Sequence, residues 1–193
     1  MLSRNALLAT AGAAAAVAAL YLLRKRHSRH QVVRRFESQG VEVRPSHIPD
    51  SGHGLFASRD FRVGDVLGEY RGRVLSLLQA HRLEDRDYLM GGFGINAHVD
   101  ARFALDAPAR YVNDHFDKSQ LNAEFHKDKS KKRALLAATR AIKRGEEIYA
   151  SYGENYWTSR GIDPTTGKPL PEASRTRMAA ASAQQQQRQD SKR

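Results

Sequence analysis

Seven tyrosines, eight histidines and no cysteine bound the side-chain chemistry open to this 193-residue chain. Without cysteine there is no disulfide framework, no thiolate zinc site and no thiol nucleophile. The histidines show no pairing with zinc-site spacing, so no metal is expected. Asp50, Ser51 and His53 are close in sequence, but a hydrolase triad is assembled from separated elements and no nucleophile elbow surrounds Ser51. Asp114-His115 reads either as a general base or as a polar loop pair. Residue types and spacing alone therefore assign no reaction; among these groups, a phenol both donates and accepts a hydrogen bond, and glycines let main-chain groups approach a ligand closely.

The elements that must hold them are mostly short strands. Val41-Glu42-Val43 alternates, and Gly54–Ala57 and Val66–Tyr70 are strand-like, separated by a turn at Arg62-Val63-Gly64-Asp65. Leu75 to Leu83 carries apolar residues at 75, 77, 78, 80 and 83, which predicts an amphipathic helix. Tyr88 to Phe93 is apolar and aromatic but broken by Gly91-Gly92. Leu121–His126 and Ala134–Ile142 predict two strands joined by Lys127–Arg133, a dense positive cluster read as a solvated hairpin tip. The spacing predicts a compact, mostly β domain with small helical insertions.

The net charge of +11 would suit a nucleic-acid or membrane surface. Its distribution argues otherwise for the middle of the chain. Residues 1–40 carry a net +6 and residues 158–193 a net +4, leaving +1 for residues 41–157. Phosphate binding needs clustered positive charge, so direct nucleic-acid contact by the central segment is not expected. Residues 6–23 carry no charge and are flanked by Arg4 and by Arg24-Lys25-Arg26. As a helix they reach about 27 Å against the ~30 Å hydrocarbon core, with flanking cations able to snorkel. The charge bias predicts a single-pass membrane anchor with its C-terminal side in the cytosol. A mitochondrial import signal or outer-membrane anchor, a cleaved secretory signal and a buried helix remain alternatives. The three expected regions are an anchor or targeting segment over 1–40, a domain over 41–157, and a disordered Gln-rich tail over 158–193.

A series of motifs, in order along the chain, carries a family resemblance. Gly52-His53-Gly54-Leu55-Phe56-Ala57, then Val63-Gly64-Asp65 and Glu69-Tyr70-Arg71-Gly72, resembles the opening of a SET domain, the fold of most protein-lysine methyltransferases. Ala109-Arg110-Tyr111-Val112-Asn113 is similar to the family's Arg-Tyr/Phe-Ile-Asn-His motif, and Gly145-Glu146-Glu147-Ile148 with Ser151-Tyr152-Gly153 is similar to its last one. The resemblance covers residues 41–157, as a minimal SET domain without Cys-rich flanking modules. It implies a mostly β fold of small sheets and short helices with a C-terminal pseudoknot-like threading. It also implies methyl transfer from S-adenosylmethionine to a lysine side chain of a histone or non-histone protein.

Family motifs assign roles residue by residue. Tyr152 matches the tyrosine at the methyl-transfer centre, and Tyr70, with Tyr88, would line the lysine channel; Tyr152 and Tyr70 are the catalytic candidates. His53, Gly54 and Leu55 would contact the cofactor through the main chain, with Asn113, Asp114 and Tyr152. Trp157 or Tyr156 would cover the adenine face or plug the core. Where the family usually has His after Asn113, this chain has Asp114, followed by His115 and Phe116. That departure keeps open a second reading, a catalytically weak SET module that binds peptide or protein.

Overall fold

The alternation at Val41-Glu42-Val43 is realised as a strand whose valines are buried and whose glutamate is half-buried. The computed structural model describes residues 33–174 and Thr176. Their contacts divide into two units, one formed by the chain up to Asn113 together with Asn122–Ile148, the other by Asp114–Leu121 and the chain from Tyr149 onward.

Among the described residues, the ten strands all fall in the first unit, in three small antiparallel sheets. One sheet runs β1 (Arg34–Phe36), β2 (Val41–Pro45), β3 (His53–Ala57) and β10 (Glu147–Ile148). In its register Val43 faces Leu55, and Leu55 faces Ile148 across the next pair. A second sheet places β9 (Arg133–Ala138) between β4 (Val66–Tyr70) and β8 (Ala123–Asp128). A third is β5 (Arg73–Leu75), β7 (His98–Asp100) and β6 (Leu89–Met90). Val41, Val43, Leu55, Phe56, Leu67, Phe93, Val99, Leu136, Ile142 and Ile148 form the buried core of this unit. A 3-10 turn over Pro108–Tyr111 packs on β4. It comes close because Gly68 leaves room where a Cβ would meet Pro108 Cγ.

The predicted helix over 75–83 shrinks to α1 (Leu77–His81), one turn closed by a Ser76–Gln79 capping box. Leu75 belongs to β5 instead, and Leu77 and Leu78 are 47% and 44% exposed. The apolar periodicity there reflected a strand end followed by a capped turn, two elements whose residues share no single helical face. The 127–133 segment is a hairpin, but Lys127, Asp128 and Arg133 lie in its strands. Lys132 Nζ donates to Phe93 O at 2.9 Å and Arg133 Nη1 to Glu69 Oε1 at 2.8 Å. Lys127 sits 5.8 Å over the Phe93 ring. Its ammonium is held below the ordinary lysine range by partial burial, with a further push from Lys129.

The second unit, as described, contains a 3-10 turn over Lys118–Gln120 and α2 (Glu154–Thr158). After α2 a loop closes on itself: Asp163 N donates to Lys168 O and Leu170 N to Gly161 O, and Ile162 bridges Pro169.

The membrane segment predicted over residues 6–23 lies outside the described residues. Among the described residues no helix is long and apolar enough to cross a membrane. The helices α1 and α2 are each five residues long, about 7.5 Å of rise against the ~30 Å a span requires. The expectations of a transmembrane helix, of a single-pass anchored chain and of a membrane partner are corrected accordingly.

Candidate active site

The two glycines of the Gly52-His53-Gly54 turn are needed for different reasons. Gly52 has φ +66° with open space around a would-be Cβ, so the backbone conformation is what requires it. Gly54 lies in β3, where a Cβ would overlap Oε1 of Glu147. The close approach allowed there is thus one within the protein, by a buried carboxylate.

Glu147 is 4% exposed. A carboxylate removed from water in this way must be compensated by hydrogen bonds. Ser46 Oγ and His47 N each donate to it at 2.7 Å, and Asn113 Nδ2 at 3.4 Å. Asn113 Nδ2 also donates to His53 O at 3.1 Å and to Ser46 Oγ at 3.2 Å. The three atoms around Nδ2 are acceptors, which fixes the amide orientation and reserves Oδ1 as its accepting end. Asn113 and His53, both expected to contact the cofactor, are therefore neighbours. Leu55, expected to contact the cofactor through its main chain, is fully buried in β3 between Val43 and Ile148, main chain and side chain alike.

Tyr70 and Tyr88 are also brought together. Tyr70, at the end of β4 and 7% exposed, donates from its hydroxyl to Tyr88 O at 2.6 Å and packs edge-on against Phe125. Ala101 N donates to the same carbonyl. Arg110 lies over the Tyr88 ring at 4.3 Å and the Tyr111 ring at 4.6 Å. Its Nε donates to Ala101 O and its Nη2 to Arg102 O, both at 3.0 Å. The motif arginine is thus a clamp that holds Tyr88 and the chain after β7 in one geometry.

In the second unit the residues converge on Asp114, 8% exposed. Its Oδ2 accepts from Tyr152 N at 2.9 Å and from Trp157 Nε1 at 2.7 Å, and its Oδ1 from His115 N at 2.8 Å. The Tyr152 ring stacks on Trp157 at 5.9 Å with planes 12° apart, and Tyr156 meets both edge-on. Phe116 lies 4.7 Å from Trp157 on its own approach. The carboxylate at the departure from the family pattern is spent on the protein's own donors.

Sequence reasoning named Glu147 only as part of a motif and missed Ser46 and Arg110 as organising side chains. The available signal was a doublet, Glu146-Glu147, entering a strand beside Ile148, where one carboxylate had to face inward.

The pattern of the family described as SET domain matches residues 52–153, just over half of the chain. The histone-lysine N-methyltransferase EHMT1 of Mus musculus is 29% identical over 118 residues, 58% of this chain and 9% of that protein. The N-lysine methyltransferase KMT5A-A of Xenopus laevis is 24% identical over 144 residues, 69% of this chain and 42% of the relative. Its counterpart in Danio rerio is 27% identical over 139 residues, 66% and 40% respectively. The chain spans less than half the length of these relatives. With small antiparallel sheets, few short helices and this match, it belongs to the SET-domain family.

Proposed function

We propose that the chain is an S-adenosylmethionine-dependent protein-lysine N-methyltransferase whose catalytic domain spans residues 41–157. The observation that carries this reading is the Asn113 amide, fixed by Ser46, His53 and Glu147 beside the glycine turn, within the stretch that matches the SET domain. That donor set fits the cofactor: Asn113 Oδ1 offers an acceptor to an ammonium group, and Gly52 leaves open space at the turn. His53, Gly54 and Asn113 would hold its amino-acid end; Asp114, Tyr152 and Trp157 are the cofactor-binding candidates that the motifs assign in the second unit. When bound, S-adenosylmethionine supplies a methyl group on a sulfonium.

The protein's own part is positioning. The Tyr70 hydroxyl donates to Tyr88 O, which fixes the orientation of the phenol in the proposed lysine channel. A channel lined by Tyr70 and Tyr88 desolvates that amine, lowering its pKa from about 10.4 toward neutrality and exposing the lone pair needed for attack. Tyr152 orients the reacting atoms, and alignment of this kind lowers the barrier without a general base. The substrate is a lysine-bearing protein, histone or non-histone.

The full chain incubated with methyl-labelled S-adenosylmethionine and a histone or mixed protein substrate tests the reading. Label should enter a protein band and fall at least tenfold, in order of magnitude, with Tyr152→Phe. No labelled band from the wild type would overturn it. The presence of Asp114 where the family usually has His favours a second reading, a peptide-binding SET module; calorimetric binding of peptide without any transfer would support that instead.

A further inference from the structure

Asp114 is the one place where the signature motif departs in charge from its family, and its carboxylate is already fully engaged. Three donors share two oxygens: the Tyr152 backbone N–H and the Trp157 indole N–H on Oδ2, and the His115 N–H on Oδ1. The indole is held on other sides by Phe116, Tyr156 and the stacked Tyr152 ring. Phe116 in turn is closed off by the chain at Gly167, where a Cβ would lie only 2.6 Å from Phe116 Cδ2. A neutral imidazole has one acceptor nitrogen and could not receive all three donors.

We propose that Asp114 is a positioning residue, a pin that ties the Tyr152 main chain to the Trp157 ring so that tyrosine and tryptophan keep one fixed relation. The departure from the family motif and the C-terminal Phe116–Tyr156–Trp157 cluster are then two halves of a single device: the aspartate is present because the indole N–H needs a buried acceptor. Charge-assisted bonds of this kind are short and strong, and an unpaired indole N–H inside an aromatic cluster would be costly. The catalytic consequence rests on the methyltransferase reading, because it acts through the orientation of Tyr152. The pin itself does not.

Trp157 is the only tryptophan in the chain, so its fluorescence reports this cluster alone. In the full chain, Asp114→Ala should move the Trp157 emission to longer wavelength and raise its quenching by acrylamide. It should lower kcat for methyl transfer roughly tenfold or more, with KM for the protein substrate within about twofold. Asp114→Asn and Trp157→Phe are milder and keep the test decisive if the alanine variant does not fold. Each should lower kcat, and the double variant should lose less than the product of the two, because both act through one bond. Unchanged emission in Asp114→Ala, or in Asp114→Asn where the alanine variant does not fold, would overturn the proposal. So would strictly multiplicative losses. A wild type that transfers no methyl would fail the functional reading only, since emission and quenching would still decide the pin.

Discussion

Gly52 and Gly54 sit two positions apart in one motif, yet alanine at each should fail differently. At Gly52 the penalty is conformational, about 1 kcal/mol for a left-handed backbone carrying a Cβ with nothing nearby to strike. At Gly54 the Cβ would displace the Glu147 carboxylate from Ser46, His47 and Asn113, so the loss should reach about 3 kcal/mol. Urea midpoints of the two variants should therefore fall in that order, and equal shifts would refute the assignment. At Tyr70 the reverse separation is expected. Tyr88 O keeps the Ala101 N–H when the phenol is removed, so Tyr70→Phe should cost only about 1 kcal/mol while methyl transfer changes measurably.

Among the elements, the β8–β9 hairpin carries its own pH dependence. Asp128 accepts from Ser130 Oγ at 2.6 Å and from Lys131 N at 3.0 Å, and the Ser130 bond is the main reason its carboxyl lies below the ordinary carboxylate range. A depressed folded pKa means the contribution is present above the unfolded value and is lost as pH falls through the folded one. Amide exchange at Ser130 and Lys131 should stay protected near neutral pH and open in strong acid before the β8–β9 ladder does. Asp128→Ala should show that opening already at neutral pH. The same element explains why a run of positive residues is not a free cationic surface. Lys132 and Arg133 are bonded to Phe93 O and Glu69, and Lys127 lies over Phe93.

For the molecule as a whole, the charge excess lies in residues 1–40 and 158–193, and the hairpin tip adds little. Retention of the full chain on an immobilised polyanion should therefore be salt-dependent, with a slope that changes by no more than about two charges when Lys129 and Lys131 are both made glutamine. A collapse of retention in that double variant would restore the hairpin as a binding surface. The two units also differ in what reports on them: the ten described strands belong to the first, and the single tryptophan to the second.

Strand identity was largely legible beforehand, because Val41-Glu42-Val43 alternates with a period of two and the short apolar runs at 54–57 and 66–70 are separated by the turn at Arg62–Asp65. Motif order was legible too, and with it the SET-domain family. The helix at 75–83 was misjudged in length because periodicity does not distinguish a strand end plus a capped turn from one amphipathic helix. The membrane expectation rested on the uncharged run at 6–23 and its flanking cations, which lie outside the described residues; among the described residues no helix is long and apolar enough to cross a membrane. What only the tertiary structure decided is where polar hydrogens go. That Gly54 makes room for Glu147, that Tyr70 spends its proton on Tyr88, and that Asp114 serves Tyr152 and Trp157 at once are facts about atoms brought together from 18 to 93 positions apart. Local sequence sets which hydrogen-bonding groups exist; burial decides which of them must find each other.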